Sequence, residues 1–316
     1  MLIDVHAHYL PDDYLALLER LGDPTAAGAR RAYAHLLAGG TGKDLDARFA
    51  MMDEAGVDRQ VLSVGPAVPY FEREDTAVEA ARAANDTYAA IVARFPKRFT
   101  AFAALPLPHI DASIREMERA LDGLGMAGVT MGISALGRMV TDPAFEPIYA
   151  ELDRRRAVLF LHPAGSGCCS PFIANHGLTW PIGAPMEDTI FVTHLIIRAI
   201  PSRYPAIKII VPHMGGLLPL VVDRLDHQKH FFAAGAPEPP SATVQRLWYD
   251  TVGHGSTAAL RCAHQALGAD RLVYGSDYPF QLHEEYRLSV TYVRDAGLPA
   301  GDVEKILDRN GTTLFS

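Results

Sequence analysis

Short apolar runs alternate along this chain with longer segments of helical period. LIDV (2–5), RQVLSV (59–64), FTAFAAL (99–105), GVTMGI (128–133), AVLFLH (157–162), KIIVPH (208–213), LWYDTV (247–252) and RLVYGS (271–276) predict strands. Between most of them lie stretches with apolar residues at three- and four-residue spacing: 75–95, 111–124, 145–156 and 256–267. Strand then helix, eight times over, is the pattern of an α/β (β/α)8 TIM barrel with inserted loops at its C-terminal face. A doubly wound open sheet also alternates, but it usually carries a glycine-rich phosphate loop after its first strand, and none follows LIDV.

No low-complexity linker divides the chain, so residues 1–316 read as a single domain. Three loop-like stretches, 22–43, 163–185 and 233–241, look like insertions around one barrel. The first two follow strands 1 and 5 and are expected to form lids at the carboxyl ends of the strands, where barrel enzymes keep their chemistry.

Composition removes several classes of partner. The 316 residues are 49% hydrophobic and 21% charged, an ordinary globular balance. Asp plus Glu (37) exceed Lys plus Arg (29) for a net charge of -8, and no basic cluster interrupts the excess, so nucleic acid is an unfavourable partner. Acids and histidines occupy the first 13 residues, where a signal peptide would be basic and apolar, and no apolar run approaches a membrane span. Three cysteines, Cys168, Cys169 and Cys262, cannot build a disulfide framework. A cytoplasmic protein is expected.

The chemistry gathers at strand ends. His6 and His8 alternate on one face of the first strand. His162 closes strand 5, His213 closes strand 6, and Asp277 follows strand 8. A single histidine after an apolar run is ordinarily a hydrogen-bonded edge residue. Five residues facing one mouth are imidazoles and a carboxylate of the kind that holds Zn²⁺ or Mn²⁺ with open positions for water and substrate. Arg48 shares an apolar stripe with Leu45, Phe49 and Met52, so its guanidinium projects toward the core and needs a carboxylate, from Asp46, Asp53 or a bound substrate. Arg224 lies between two stripes, and its direction is open between a functional role and a salt bridge with Asp223 or Asp226. His254, near the end of strand 7, borders the same region, whereas His194 reads as a core or interface residue.

Taken together, DVHAHYLP, LDARFAMMDEAGVD, RFTAFAALPL, FLHPAG, WPIGAPMEDT, YPAIKIIVPHMGG with DRLDH, YGSDYPF and NGTTLF resemble the amidohydrolase superfamily over nearly the whole chain. The resemblance is to the branch of 2-amino-3-carboxymuconate-6-semialdehyde and γ-resorcylate decarboxylases. It implies His6, His8, His162 and Asp277 as metal ligands, His213 as acid/base, Arg48 and Arg224 as carboxylate-binding residues and Trp180 and Phe280 as aromatics beside the substrate. Arg224 would act in a neighbouring subunit, making a homodimer or higher oligomer the functional unit. Hydrolytic relatives carry a bridging carbamylated lysine on strand 4; GVTMGI has none, so one divalent ion is expected, zinc first and manganese as the alternative.

The reaction these expectations imply is non-oxidative decarboxylation of a small aromatic, hydroxybenzoate-like or carboxymuconate-type acid. In one scheme His213 takes a proton from water, hydroxide adds to a double bond and CO₂ leaves. In the other, protonated Asp277 delivers a proton to a ring carbon. The runner-up is a hydratase or hydrolase of oxalomesaconate, lactone or amide substrates on the same scaffold. A catalytically silent barrel would lack a ligand or the acid/base, and none is missing.

Overall fold

The computed structural model describes residues 1–36 and 42–316. Eight strands form one sheet in sequential order: β1 (Ile3–His8), β2 (Arg59–Ser63), β3 (Phe99–Ala104), β4 (Gly128–Gly132), β5 (Val158–His162), β6 (Lys208–Val211), β7 (Trp248–Asp250) and β8 (Leu272–Val273). Every neighbouring pair is parallel. Beyond β8 the chain still pairs with β1, through Val5 N–H to Tyr274 O at 3.0 Å, Asp277 N–H to His6 O at 2.9 Å and His8 N–H to Tyr278 O at 2.7 Å. These bonds close the sheet into the expected (β/α)8 barrel.

The longer helices are α1 (Asp12–Arg20), α2 (Ala26–Leu36), α3 (Gly42–Ala55), α4 (Glu74–Arg94), α5 (Ile110–Glu118), α6 (Glu146–Arg155), α7 (Ala184–Ile197), α8 (Leu218–Phe232), α9 (Thr257–Leu267) and α10 (Glu284–Arg294). Apolar side chains between strands and helices form the main core, including Leu62, Met131, Leu159 and Ile209. A second cluster draws Ile3, Val5, Val61, Phe102, Phe160, Ile210 and Val273 from different strands, which only the barrel interior brings together. This apolar plug fills the lower barrel and leaves the carboxyl-end mouth for polar groups.

Two expectations change. The stretch 22–43 contains α2, whose alanine-rich AAGARRAYAHL favours helix; Arg30 ties it to α1 through two hydrogen bonds to Asp12, at 2.6 and 2.7 Å. Residues 37–41 of that stretch lie outside the described residues. The stretch 163–185 is a chain of short turns, Gly167–Cys169, Pro171–Ala174 and Thr179–Gly183, that runs directly into α7.

Plain alternation along β1 also fails. Val5 belongs to the interior plug, yet its neighbour His6 also faces inward, because the β1–β2 register shifts between Asp4 and Ala7. That irregularity aims both His6 and His8 into the barrel.

Candidate metal centre

One donor atom from each of His6, His8, His162 and Asp277 lies within 4.8 Å of the others, and all four residues are buried. His6 Nε2 is 3.1 Å from His8 Nε2, and both stand 3.2 Å from Asp277 Oδ1. Each imidazole is held from behind through Nδ1. His6 donates to Asp250 Oδ2 at 2.7 Å, His8 to Ser63 Oγ at 3.1 Å and His162 to the Pro163 carbonyl at 3.0 Å. These bonds to Nδ1 turn each Nε2 toward the common centre, where it would offer its lone pair to an ion that displaces any proton.

Two glycines make the approach possible. A Cβ on Gly275 would stand 2.8 Å from that of Asp250 and 3.0 Å from that of His6, and one on Gly65 would stand 2.7 Å from the His162 ring. Asp277 and His213 take the left-handed backbone region, at φ +62 and +52. A turn at those points directs both side chains back into the mouth.

Charge balance favours a cation. Burial drives the His162 and His8 protons off, His8 down to about 4, with neighbouring imidazoles adding to the effect on His162. Burial also opposes charge on His6, but Asp250 and Asp277 outweigh it and lift His6 to about 10. Asp277 is held ionised against its own burial by His6 and His8. With His8 and His162 neutral, the carboxylates of Asp250 and Asp277 call for positive charge at their common centre, a demand that a divalent ion would meet in place of the His6 proton. Three imidazole nitrogens and one carboxylate oxygen fit such an ion.

His213 stands beside this cluster, 5.3 Å from His6 between ring centroids. Its Nδ1 is 2.8 Å from Asp188 Oδ2, and its backbone N–H donates to Asp250 Oδ1 at 2.8 Å. Burial lowers its proton affinity, and Asp188 raises it by more; burial lifts Asp188 itself to about 6. The pair thus holds a proton jointly at the wall of the mouth.

A cavity of about 610 Å³ opens onto these groups, with Trp180 and Phe280 among its walls and His162, His213 and Asp277 on its polar side. The Phe280 ring is 5.6 Å from His8 and the Trp180 ring 6.5 Å from His162. His254 lines it as well. Arg48 and Arg224 do not: Arg48 is fully buried on the helix side of β1, and Arg224 is exposed on α8. The partner of Arg48 is neither Asp46 nor Asp53; its guanidinium donates to the Gln60 side chain and the His8 carbonyl, while Asp53 pairs with Arg98. Asp188, Asp250 and Ser63 escaped the sequence reading. The first two are acids inside the apolar segments PMEDTIFV and LWYDTV, and a buried carboxylate needs a partner for the same reason Arg48 does.

The Amidohydrolase family model matches residues 3–316, and the chain belongs to that family. It is 28% identical over 302 residues to the 2-amino-3-carboxymuconate-6-semialdehyde decarboxylase of Dictyostelium discoideum, covering 89% of this chain and 82% of that protein. To the gamma-resorcylate decarboxylase of Rhizobium radiobacter it is 32% identical over 256 residues, covering 75% and 77%. Its fold superposes on dihydroxybenzoic acid decarboxylase from Polaromonas sp. JS666, solved with manganese and the inhibitor 2-nitroresorcinol, with a TM-score of 0.81 at 25% identity over 99% and 96% of the two chains.

Proposed function

We propose that this protein is a metal-dependent non-oxidative decarboxylase, a carboxy-lyase, acting on an aromatic acid of the ortho-hydroxybenzoate kind. The observation that carries the reading is the convergence of His6, His8, His162 and Asp277, the last two of which line an aromatic-walled cavity, in a chain similar to decarboxylases along most of its length. These four residues would hold one divalent ion. When bound, the ion supplies Lewis acidity toward the substrate's carboxylate and neighbouring phenolic oxygen.

The protein's own groups do the rest. Trp180 and Phe280 offer faces between which an aromatic ring can lie. His213, its Nδ1 held by Asp188, presents its other nitrogen to the reacting carbon or to water. Asp277 lines the cavity and, when protonated, is the alternative donor. The delivered proton becomes the new C–H bond. The electrons of the C–C bond to the carboxylate neutralise the protonated ring, and CO₂ departs. Among the described residues that line the cavity there is no lysine or arginine, which supports an acid whose one carboxylate goes to the ion over a carboxymuconate carrying more than one.

Manganese in the Polaromonas relative supports that ion ahead of zinc, although the donor set accommodates either. Residues 1–316 act as one domain in this reading. Exposed apolar side chains on α7 and α8, Ile190, Ile197, Leu217 just before α8, Leu220 and Phe231, support a homodimer, with Arg224 on the same helix. Free cysteines support a reducing, cytoplasmic setting, and no helix among the described residues is long and apolar enough to cross a membrane.

The test is elemental analysis of freshly purified protein followed by a screen of ortho-hydroxybenzoates and carboxymuconates. Release of CO₂ from a hydroxybenzoate by the metal-loaded protein is expected. Addition of water without CO₂ would replace this reading with a hydratase.

A further inference from the structure

We propose that Arg48 is a positioning residue of the metal centre, acting through the backbone of β1 and the ring of Tyr278 and touching no substrate. The role rests on reading His6, His8, His162 and Asp277 as metal ligands. Arg48 is wholly buried between α3 and the barrel wall, on the opposite side of β1 from the cavity. Its Nη2 donates to the carbonyl of His8 at 2.8 Å, and its guanidinium carbon lies 4.0 Å over the ring of Tyr278, which follows Asp277 in sequence, and 5.4 Å from that of Tyr9, which follows His8. One cation therefore grips the backbone beside a ligand on β1 and the residue next to a ligand beyond β8, across the seam where the barrel closes.

The cation is itself anchored. Arg48 Nη1 donates to Gln60 Oε1 at 3.1 Å, and Gln60 Nε2 donates onward to Asp4 Oδ2 at 3.0 Å. Asp4 in turn accepts from Ser276 Oγ at 2.6 Å, from Ser276 N–H at 2.9 Å and from His6 N–H at 3.2 Å. A buried arginine and a buried aspartate are thus joined through one neutral amide, which also donates to Tyr286 OH at 3.1 Å, and the outer contacts of that arginine and that aspartate fall on His8, Tyr9, Tyr278, His6 and Ser276, each a ligand or next to one. A network that served stability alone could sit anywhere along the seam; this one brackets the donors of one site on both sides. It also spans the register shift between Asp4 and Ala7 that turns His6 inward, so it holds the irregularity on which the ligand geometry depends.

The experiment compares wild-type protein with Arg48→Lys, which keeps the charge but cannot reach the His8 carbonyl and Gln60 together, and with near-isosteric Gln60→Met, which breaks the link to Asp4. Manganese affinity is measured by competition with a fluorescent chelator, and kcat and KM are measured at saturating manganese. Both variants are expected to bind manganese about tenfold or more weakly. KM for the acid should stay within about threefold of wild type while kcat falls. If manganese affinity is unchanged and KM rises tens of fold in Arg48→Lys only, Arg48 is a carboxylate-binding residue and the positioning role is overturned. Unchanged affinity and kinetics in Gln60→Met also overturn it, since that variant leaves the arginine in place. Wild-type protein that takes up no divalent ion would instead refute the metal reading from which the role follows.

Discussion

Asp250 carries three hydrogen bonds that meet at the mouth of the barrel: from His6 Nδ1, from the His213 backbone and from the Val252 backbone at 3.0 Å. Its charge faces the imidazole that the site most needs as a strong donor, so Asp250→Asn should keep the shape and lose the polarisation. Metal affinity is expected to fall about 10- to 100-fold, measured by the same chelator competition. His213 separates from that effect. His213→Ala should retain the ion and the fold while turnover drops by about 10²–10⁴, because an acid/base group is removed and no ligand is. Loss of the ion from His213→Ala would place His213 among the ligands. At this scale the histidines were legible because each lies at or near the carboxyl end of a strand. Asp188 and Asp250 were not, because one acid inside an apolar run does not announce its partner, and both partners lie far off in the chain.

The turn-rich segment between β5 and α7 is fastened by one side chain. Glu187, near the start of α7 and buried, accepts from the backbone of Ala164 at 2.7 Å, Gly165 at 3.2 Å and Cys168 at 3.2 Å, and from Ser166 Oγ at 2.9 Å. The next residue, Asp188, orients His213, so α7 sets both the lid and the acid/base. Glu187→Ala strands those donors and is expected to cost about 3 kcal/mol in urea unfolding. KM should also rise, because Trp180 is carried by the released segment. A variant with wild-type stability would mean that the loop holds itself. Strand order and the helices over 75–95, 111–124, 145–156 and 256–267 followed from apolar spacing, with strand ends displaced by up to three residues, since periodicity marks the middle of an element better than its caps. The helix α2 was hidden because the stretch that holds it, GDPTAAGARRAYAHLLAGGTGK, is rich in glycine and carries a proline, the residues that mark loops. The register shift in β1 has no signature in a run as short as LIDVHAH.

As a whole the molecule closes its barrel through the strands that bear the ligands, so the ion and the fold should be linked. Stripping the metal is expected to lower the melting temperature, and restoring an ion at about 100-fold its dissociation constant should return about 2.7 kcal/mol. One cooperative transition is expected throughout, as befits a single domain, and two resolved transitions would divide the chain. Sedimentation equilibrium should return twice the monomer mass of 34.4 kDa, and a monomer at micromolar concentration would leave the apolar face of α7 and α8 without that explanation. The central claim is that one ion at His6, His8, His162 and Asp277 makes this barrel a decarboxylase. Its most direct test is the release of labelled CO₂ from a carboxyl-labelled ortho-hydroxybenzoate by chelator-stripped protein titrated with manganese. Release that is absent at the start and rises to a plateau at one ion per chain is the predicted result; release indifferent to the ion, or none with the ion bound, would contradict it.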